Sequence, residues 1–263
     1  MVNPQLDEAG RDDVEEALAF AGSLVTRLGE SAALRQGSAV EQFKPAAALS
    51  GSVVTDVDLD LERAVDDALH HRFPADGVLG EEGADRAPAD PRNGRTWVVD
   101  PIDGTLNYAR RLGPWSVVVS AWRGWQVESV AVWTGGALYT AAAGRGATRD
   151  GRPLRLAEQA EPGGIVHAHA ALMPAVAQAG WLARTVESSA AEIVAIADGR
   201  VMGTVRRGGH RRDLHAPALL VGEAGGVVLP LDDAPLSGAS PDLLVAHPHL
   251  VEPLLALVPE RRP

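Results

Sequence analysis

The chain has 263 residues, no cysteine, 24 basic against 35 acidic side chains and a formal charge of −11. That excludes disulfides, thiolate metal sites and a cysteine nucleophile, and it argues against nucleic acid as the main partner. The hydrophobic fraction of 46% with 22% charged residues is that of a soluble globular protein, and Lys44 is the only lysine, so chemistry needing a lysine elsewhere, such as a P-loop, is excluded too.

In chain order, the first residues are acidic and lack a basic-then-apolar leader, and no apolar run approaches membrane length; the reading is no signal peptide, no membrane segment and a cytoplasmic protein. Residues 14–28 carry Val14, Ala17, Leu18, Ala21, Leu24, Val25 and Leu28 at helical spacing, which predicts a first helix. Residues 33–52 have no firm period and read as a mobile loop. A second helix is predicted over 59–73, ended by Pro74 and the Asp76-Gly77 turn. Short apolar runs follow at 78–79 and 97–99. Residues 115–156 alternate β-rich runs with glycine turns and predict an antiparallel meander. Beyond it come helices over 188–198 and 214–224, strands over 227–231 and 243–246, and a last helix near 250–257. This order suggests two layered subdomains: residues 1–150, α+β with an antiparallel sheet and the acidic motifs, and residues 151–263, α/β.

The segment Trp97-Val98-Val99-Asp100-Pro101-Ile102-Asp103-Gly104-Thr105 carries the most chemistry. An apolar strand delivers two carboxylates to one end. Such close like charges repel unless a divalent cation lies between them, and hard oxygen ligands suit Mg²⁺ or Mn²⁺. The N–H groups of Gly104 and Thr105, at a turn or helix start, are suited to an anion. Gly80-Glu81-Glu82 and Thr55-Asp56-Val57-Asp58 place more acids near strand ends. Taken singly, Asp58 reads as a helix cap and the Glu-Glu pair as a solvated turn; taken with residues 100–105 they read as one site.

These motifs resemble those of the inositol monophosphatase superfamily of Mg²⁺-dependent, typically lithium-sensitive phosphatases. The aspartate-proline-isoleucine-aspartate-glycine-threonine run is complete at 100–105, and Glu223-Ala224-Gly225-Gly226 is similar to the family's late helix end. Counting back from there places Asp213 at the family's last metal aspartate. The resemblance spans about residues 10–256 and implies a layered α/β/α/β/α sandwich. It implies Glu81, Asp100 and the Ile102 carbonyl as ligands of a first Mg²⁺ and Asp100, Asp103 and Asp213 as ligands of a second, with Glu81 also near a third ion and Mn²⁺ compatible. Thr105, bonded to Asp58, would orient or deprotonate the attacking water alongside Glu81. Asp103, Gly104, Thr105, Ser188, Ser189 and Arg206 would face the phosphate and its ester. The expected partners are a small phosphate ester and a second copy of the chain, in a homodimer. The expected activity is hydrolysis of inositol monophosphate or a related polyol phosphate; histidinol phosphate, fructose 1,6-bisphosphate and 3′-phosphoadenosine 5′-phosphate are alternatives, and binding of metal or anion without turnover is the alternative of another class.

The last motif departs from the family. Arg212 stands where tryptophan precedes the final aspartate, Pro217 replaces a glycine and is expected in the helix's first turn, and Arg206-Arg207 stand where the family often has an acidic group. The arginines at 206, 207, 211 and 212 read either as a pocket for a second anion or as a solvated or dimer-facing patch. His210 and His215 read as structural or as supports behind the metal ligands rather than as ligands themselves, and the loop near Lys44 as a lid.

Overall fold

The computed structural model describes residues 8–43, 53–158, 164–206, 211–231 and 242–258. The first helix, α1 (Glu8–Arg35), is longer than its apolar stripe because polar turns extend it at both ends. Its buried side chains Ala17, Ala21, Leu24, Val25, Leu28 and Ala32 recur every three or four residues, as an amphipathic helix on a sheet requires. The stretch expected as loop is partly ordered: residues 33–35 finish α1, and β1 (Glu41–Phe43) pairs antiparallel with β2 (Val53–Thr55). β1 lacks period-2 apolarity, so only its pairing reveals it. The remainder of that stretch, 44–52, lies outside the described residues. Helix α2 (Asp56–Arg72) starts earlier than its periodicity suggests because Thr55 caps it.

There follow β3 (Gly77–Gly80), β4 (Asp85–Arg86), β5 (Arg95–Asp103), α3 (Thr105–Arg110), β6 (Ser116–Arg123), β7 (Gln126–Thr134), β8 (Ala137–Ala142), β9 (Ala147–Arg149) and β10 (Arg152–Leu154). They form an eight-stranded sheet in the order β10-β9-β8-β7-β6-β5-β3-β4. The meander is antiparallel as expected, but β3 lies parallel to β5, which makes the sheet mixed. Next come β11 (Ile165–Ala168), α4 (Met173–Gln178), β12 (Leu182–Arg184), α5 (Ser189–Ala197), β13 (Gly203–Arg206), α6 (Arg211–Glu223), β14 (Val227–Pro230), β15 (Leu243–Ala246) and, after a 3-10 turn at Pro248–Leu250, α7 (Val251–Leu255). The second sheet runs β12-β11-β13-β15-β14 and is also mixed. Pro217 lies inside α6 rather than in its first turn. Having no N–H, it cannot supply the helical bond to the carbonyl of Asp213.

Strand alternation builds the layers. On one face of the large sheet, Trp97, Val99, Val117, Val119, Ala131 and Trp133 pack on α1 and α2. On the other, Val98, Val118, Val130 and Val132 pack on α5 and α6, together with Leu243 and Val245 of the second sheet. The neighbouring Leu244 and Ala246 face the opposite way, with Val166 and Val205, onto α4 and α7. The result is the α/β/α/β/α order expected from the sequence. Among the described residues no helix is long and apolar enough to cross a membrane.

Helix α1 approaches the sheet most closely at Gly29, where an added Cβ would stand 2.2 Å from the Trp133 ring; at Gly22 the nearest atom would be 3.4 Å away. Gly29→Ala is therefore expected to destabilise the fold by about 1–3 kcal/mol through overpacking. Gly22→Ala is expected to be neutral or to stabilise by about 0.5–1 kcal/mol through helix entropy. Equal denaturation midpoints for the two variants would contradict this packing.

Candidate active site

The site is built at the end of β5. In a regular strand Asp100 and Asp103 would point to opposite faces. Here the register shifts between them, Asp100 standing opposite Val118 and Asp103 opposite Ser116. The bulge carries Ile102 into the α1–α2 layer and returns Asp103 to the side of α5 and α6. Both carboxylates thus face the space between the sheet and the central helices.

Asp103 rests on the start of α5. Ser188 Oγ donates to its Oδ2 at 2.5 Å, the Ala190 N–H to Oδ2 at 2.8 Å and the Ser189 N–H to Oδ1 at 3.0 Å. Ser188 also caps the helix, its Oγ accepting from the Ala191 N–H at 3.3 Å. Ser188 and Ser189, expected at the phosphate, therefore hold Asp103 here. Burial raises the Asp103 carboxyl above the usual range, against the pull of these donors. Gly104 is required on two counts: its φ is +88°, and a Cβ would lie 2.9 Å from the Glu187 carbonyl and from Ser188.

Asp100 is the most constrained member. It is 4% exposed, and its Oδ1 is buried with no hydrogen-bond partner among the described residues. Burial, then the charges of Glu81, Asp103, Asp213 and Asp58, push its carboxyl well above the ordinary range. Acids from four parts of the chain thus act on one buried carboxylate. No three acids or histidines among the described residues close into a finished metal cage.

Helix α2 supports this site through two acids one turn apart on one face. Asp58 completes a capping box with Thr55, accepting from its N–H at 2.9 Å and its hydroxyl at 2.5 Å, so the cap reading holds. Its other oxygen accepts from Thr105 Oγ1 at 3.2 Å, which joins the cap to the end of β5. Burial raises the Asp58 carboxyl, against the bonds from Thr55 and Thr105. The Thr105 hydroxyl also lies 3.0 Å from the Ile102 carbonyl, so its one proton serves two acceptors.

Glu62, four residues on, was not singled out in the sequence. It accepts from the N–H groups of Glu82 and Ala84 at 2.7 and 2.8 Å and so holds the loop that carries Glu81. Gly80 permits this, since a Cβ there would stand 2.4 Å from the Glu62 carboxylate. The available signal was the Asp58/Glu62 spacing. Arg206 at the end of β13 reaches Ser189 Oγ. His215 is half-buried on α6. Lys44, Arg207 and His210 lie outside the described residues, as do the side chains of Arg211 and Arg212.

Comparison with known proteins agrees with this architecture. Residues 13–262 match the inositol monophosphatase family. The chain is 33% identical over 238 residues to the inositol-1-monophosphatase SuhB of Mycobacterium tuberculosis, covering 77% of each chain. It is 28% identical over 222 residues to the Nus factor SuhB of Escherichia coli, covering 79% of this chain and 82% of that one. Among solved structures, an IMPase/NADP phosphatase complexed with Mg²⁺ and phosphate superposes with a TM-score of 0.81 at 17% identity, over 95% of this chain and 97% of that one, which shows a shared fold.

A carboxyl raised in the fold holds a proton that the unfolded chain has already lost, so its contribution to stability falls as pH rises past the ordinary carboxylate value. In chelator at pH 7, Asp100→Asn is expected to stabilise the protein by about 1–3 kcal/mol, because it removes a buried charge from among like charges. For a protein of this size that is roughly 2–10 °C in melting temperature. The gain should shrink as pH falls and Asp100 itself takes up a proton. A thermal melt series from pH 7 to 5 checks this; a destabilised variant at pH 7 would contradict it.

Proposed function

The chain belongs to the inositol monophosphatase family, and from that premise we propose a Mg²⁺-dependent phosphomonoesterase that hydrolyses a small polyol or sugar phosphate by direct attack of water. Family membership supports a phosphatase; the metal, the residue roles and the substrate are the proposal. The observation that carries it is Asp100, a buried carboxylate with an unpartnered oxygen on which the charges of Glu81, Asp103, Asp213 and Asp58 converge.

This donor set fits a hard divalent cation, which prefers carboxylate and carbonyl oxygens. In this reading Glu81, Asp100 and the Ile102 carbonyl hold one Mg²⁺, and Asp100, Asp103 and Asp213 hold a second. Asp103 retains capacity for this role: α5 fills three of roughly four acceptor positions on a carboxylate and leaves one on Oδ1. Bound cations supply an acidified water and neutralise charge on the phosphoryl and leaving oxygens.

The protein's own groups do the rest. Thr105, donating to Asp58, turns a lone pair toward the attacking water and fixes its direction. Asp58 is the better proton acceptor for being raised by burial. The first-turn N–H groups of α3 have no helical partners by construction and suit the phosphoryl oxygens. Glu62 acts on none of the reacting atoms; it positions the loop that bears Glu81. Binding without turnover would be favoured if Arg212 drew Asp213 away from the site; the charge of Asp213 acts on Asp100, which supports turnover.

The test is phosphate release from a panel of inositol 1-phosphate, histidinol phosphate, fructose 1,6-bisphosphate and 3′-phosphoadenosine 5′-phosphate, with Mg²⁺ and with excess EDTA. Activity is expected on at least one ester with Mg²⁺ and on none in EDTA. Asp100→Asn and Asp103→Asn should be nearly inactive. Thr105→Ala should lose on the order of 10²- to 10⁴-fold in kcat, the usual value of positioned general-base help, while keeping metal affinity. Hydrolysis that persists in EDTA, or a wild-type rate in Asp100→Asn, would overturn the reading.

A further inference from the structure

Arg206 ends β13 beside the first turn of α5. Its Nη2 donates to Ser189 Oγ at 3.0 Å and its Nη1 to Glu192 at 3.3 Å. The Ser189 N–H in turn holds Asp103, so the guanidinium stands one side chain from a carboxylate at the end of β5.

The pair with Glu192 does not exhaust this arginine. Glu192 is almost wholly buried and also accepts from the Thr204 hydroxyl, whereas the Arg206 side chain keeps 24% of its exposure. A guanidinium carries five N–H donors in a planar fork suited to bidentate contact with carboxylate or phosphate. Two are engaged here, one of them at long range, and the others belong to a side chain that still meets solvent.

The surroundings are cationic, although the chain as a whole is acidic. His167 on β11 lies in register with Thr204 on one side and Arg184 on the other. Burial first, then the charges of Arg184, Arg200 and Arg206, hold its imidazole down to about 4. Arg184, Arg200 and Arg206 thus bring positive charge to the α5 side of the second sheet, next to the carboxylates of the first, with Arg200 paired to Asp198 and Arg206 to Glu192. A neutral polyol gains little from such a field, because hydroxyls pair equally well with uncharged groups; an anion gains a charge-assisted bond.

We infer that Arg206 is a specificity-determining residue, binding a second anionic group, phosphate or carboxylate, on the part of the ester that leaves. The inference rests on the phosphatase reading above and narrows its substrate class to esters with an anion beyond the scissile phosphate.

The experiment compares kcat/KM for fructose 1,6-bisphosphate, 3-phosphoglycerate and inositol 1-phosphate in wild type, Arg206→Gln and Arg206→Lys at saturating Mg²⁺. The wild type should prefer an ester bearing a second anion, and whichever of the first two it prefers names the group. In Arg206→Gln the preference over inositol 1-phosphate should fall roughly 10- to 100-fold, the worth of one charged hydrogen bond, chiefly through KM. Arg206→Lys should keep part of it. An unchanged ratio in Arg206→Gln would place the arginine outside the pocket, and an equal loss for every ester would show that it acts only by holding α5; either overturns the inference. If the wild type hydrolyses neither these three esters nor any other of the panel above, the phosphatase reading fails, and calorimetric binding of the same three compounds still decides: tighter binding of an anionic ester that Arg206→Gln abolishes supports the subsite, and equal binding of all three removes it.

Discussion

A carboxylate buried among other carboxylates is the constraint around which this molecule is arranged. Asp100 is removed from water at the end of a central strand, with the charges of Glu81, Asp103, Asp213 and Asp58 acting on it. In a low-dielectric surround such repulsion is severe, and the fold tolerates it only by supplying compensation next door. Asp103 receives three donors from the start of α5, Asp58 receives the N–H and hydroxyl of Thr55, and Glu62 receives two N–H groups of the loop beyond Gly80. Asp100 keeps a buried oxygen with no donor among the described residues. Asp103 and Asp58 are each tied to the start of a helix, so neither can relieve the repulsion by swinging into solvent without breaking a cap.

Ion pairs of opposite charge gather at the other end of the same strand. Arg95, where β5 begins, is 3% exposed and pairs with Asp13, Asp76 and Glu128, tying α1, the turn before β3, and β7 to one guanidinium. Its charge lies 5.7 Å from the Trp97 ring, beside the edge-on contact of Phe20 and Phe73. β5 thus carries compensated charge at its beginning and concentrated like charge at its end. The bulge between Asp100 and Asp103 is where the strand passes from one regime to the other, and its cost is set against a well-anchored beginning.

How much of this was legible in the sequence depended on the range of the interaction. The segments around Asp58, Glu81 and Asp100 were distinguishable because acids after apolar runs are a local pattern, whereas Asp213, which follows a run of arginine, glycine and histidine, was reached only through the resemblance of its motif; the structure brings the charges of Asp58, Glu81 and Asp213 to bear on Asp100. The layers were legible because period-2 and period-3.6 patterns report which faces are buried. The bulge was not, since residues 100–103 alone do not say that only the three residues 116–118 of β6 stand opposite these four. Nor was the embrace of Asp103 by α5, which joins positions 85 to 87 residues apart. β1 was missed because its pairing with β2 organises it rather than its own apolarity. Pro217 was misplaced because α6 begins earlier than its apolar stripe. Glu62 looked like one more solvated acid of α2, and only the loop folded over it gives it a task.

The two sheets divide the labour of the site unequally, and this bears on how such a fold can change its preference. The large sheet supplies Asp100, Asp103 and the adjoining Thr105, whose geometry is bound up with the bulge and with the αL turn at Gly104. Alterations there disturb charge compensation and backbone together. The second sheet and its helix supply Ser189, Glu192 and Arg206, which meet the first group only through the start of α5. Arg206 is balanced by Glu192 rather than by any acid of β5, so a change of charge at the end of β13 is absorbed within its own layer. On the proposed reading the reacting groups are bound up with the bulge and backbone of β5, whereas a substrate-contacting group at the end of β13 can change without disturbing them, which is how one fold can serve many substrates.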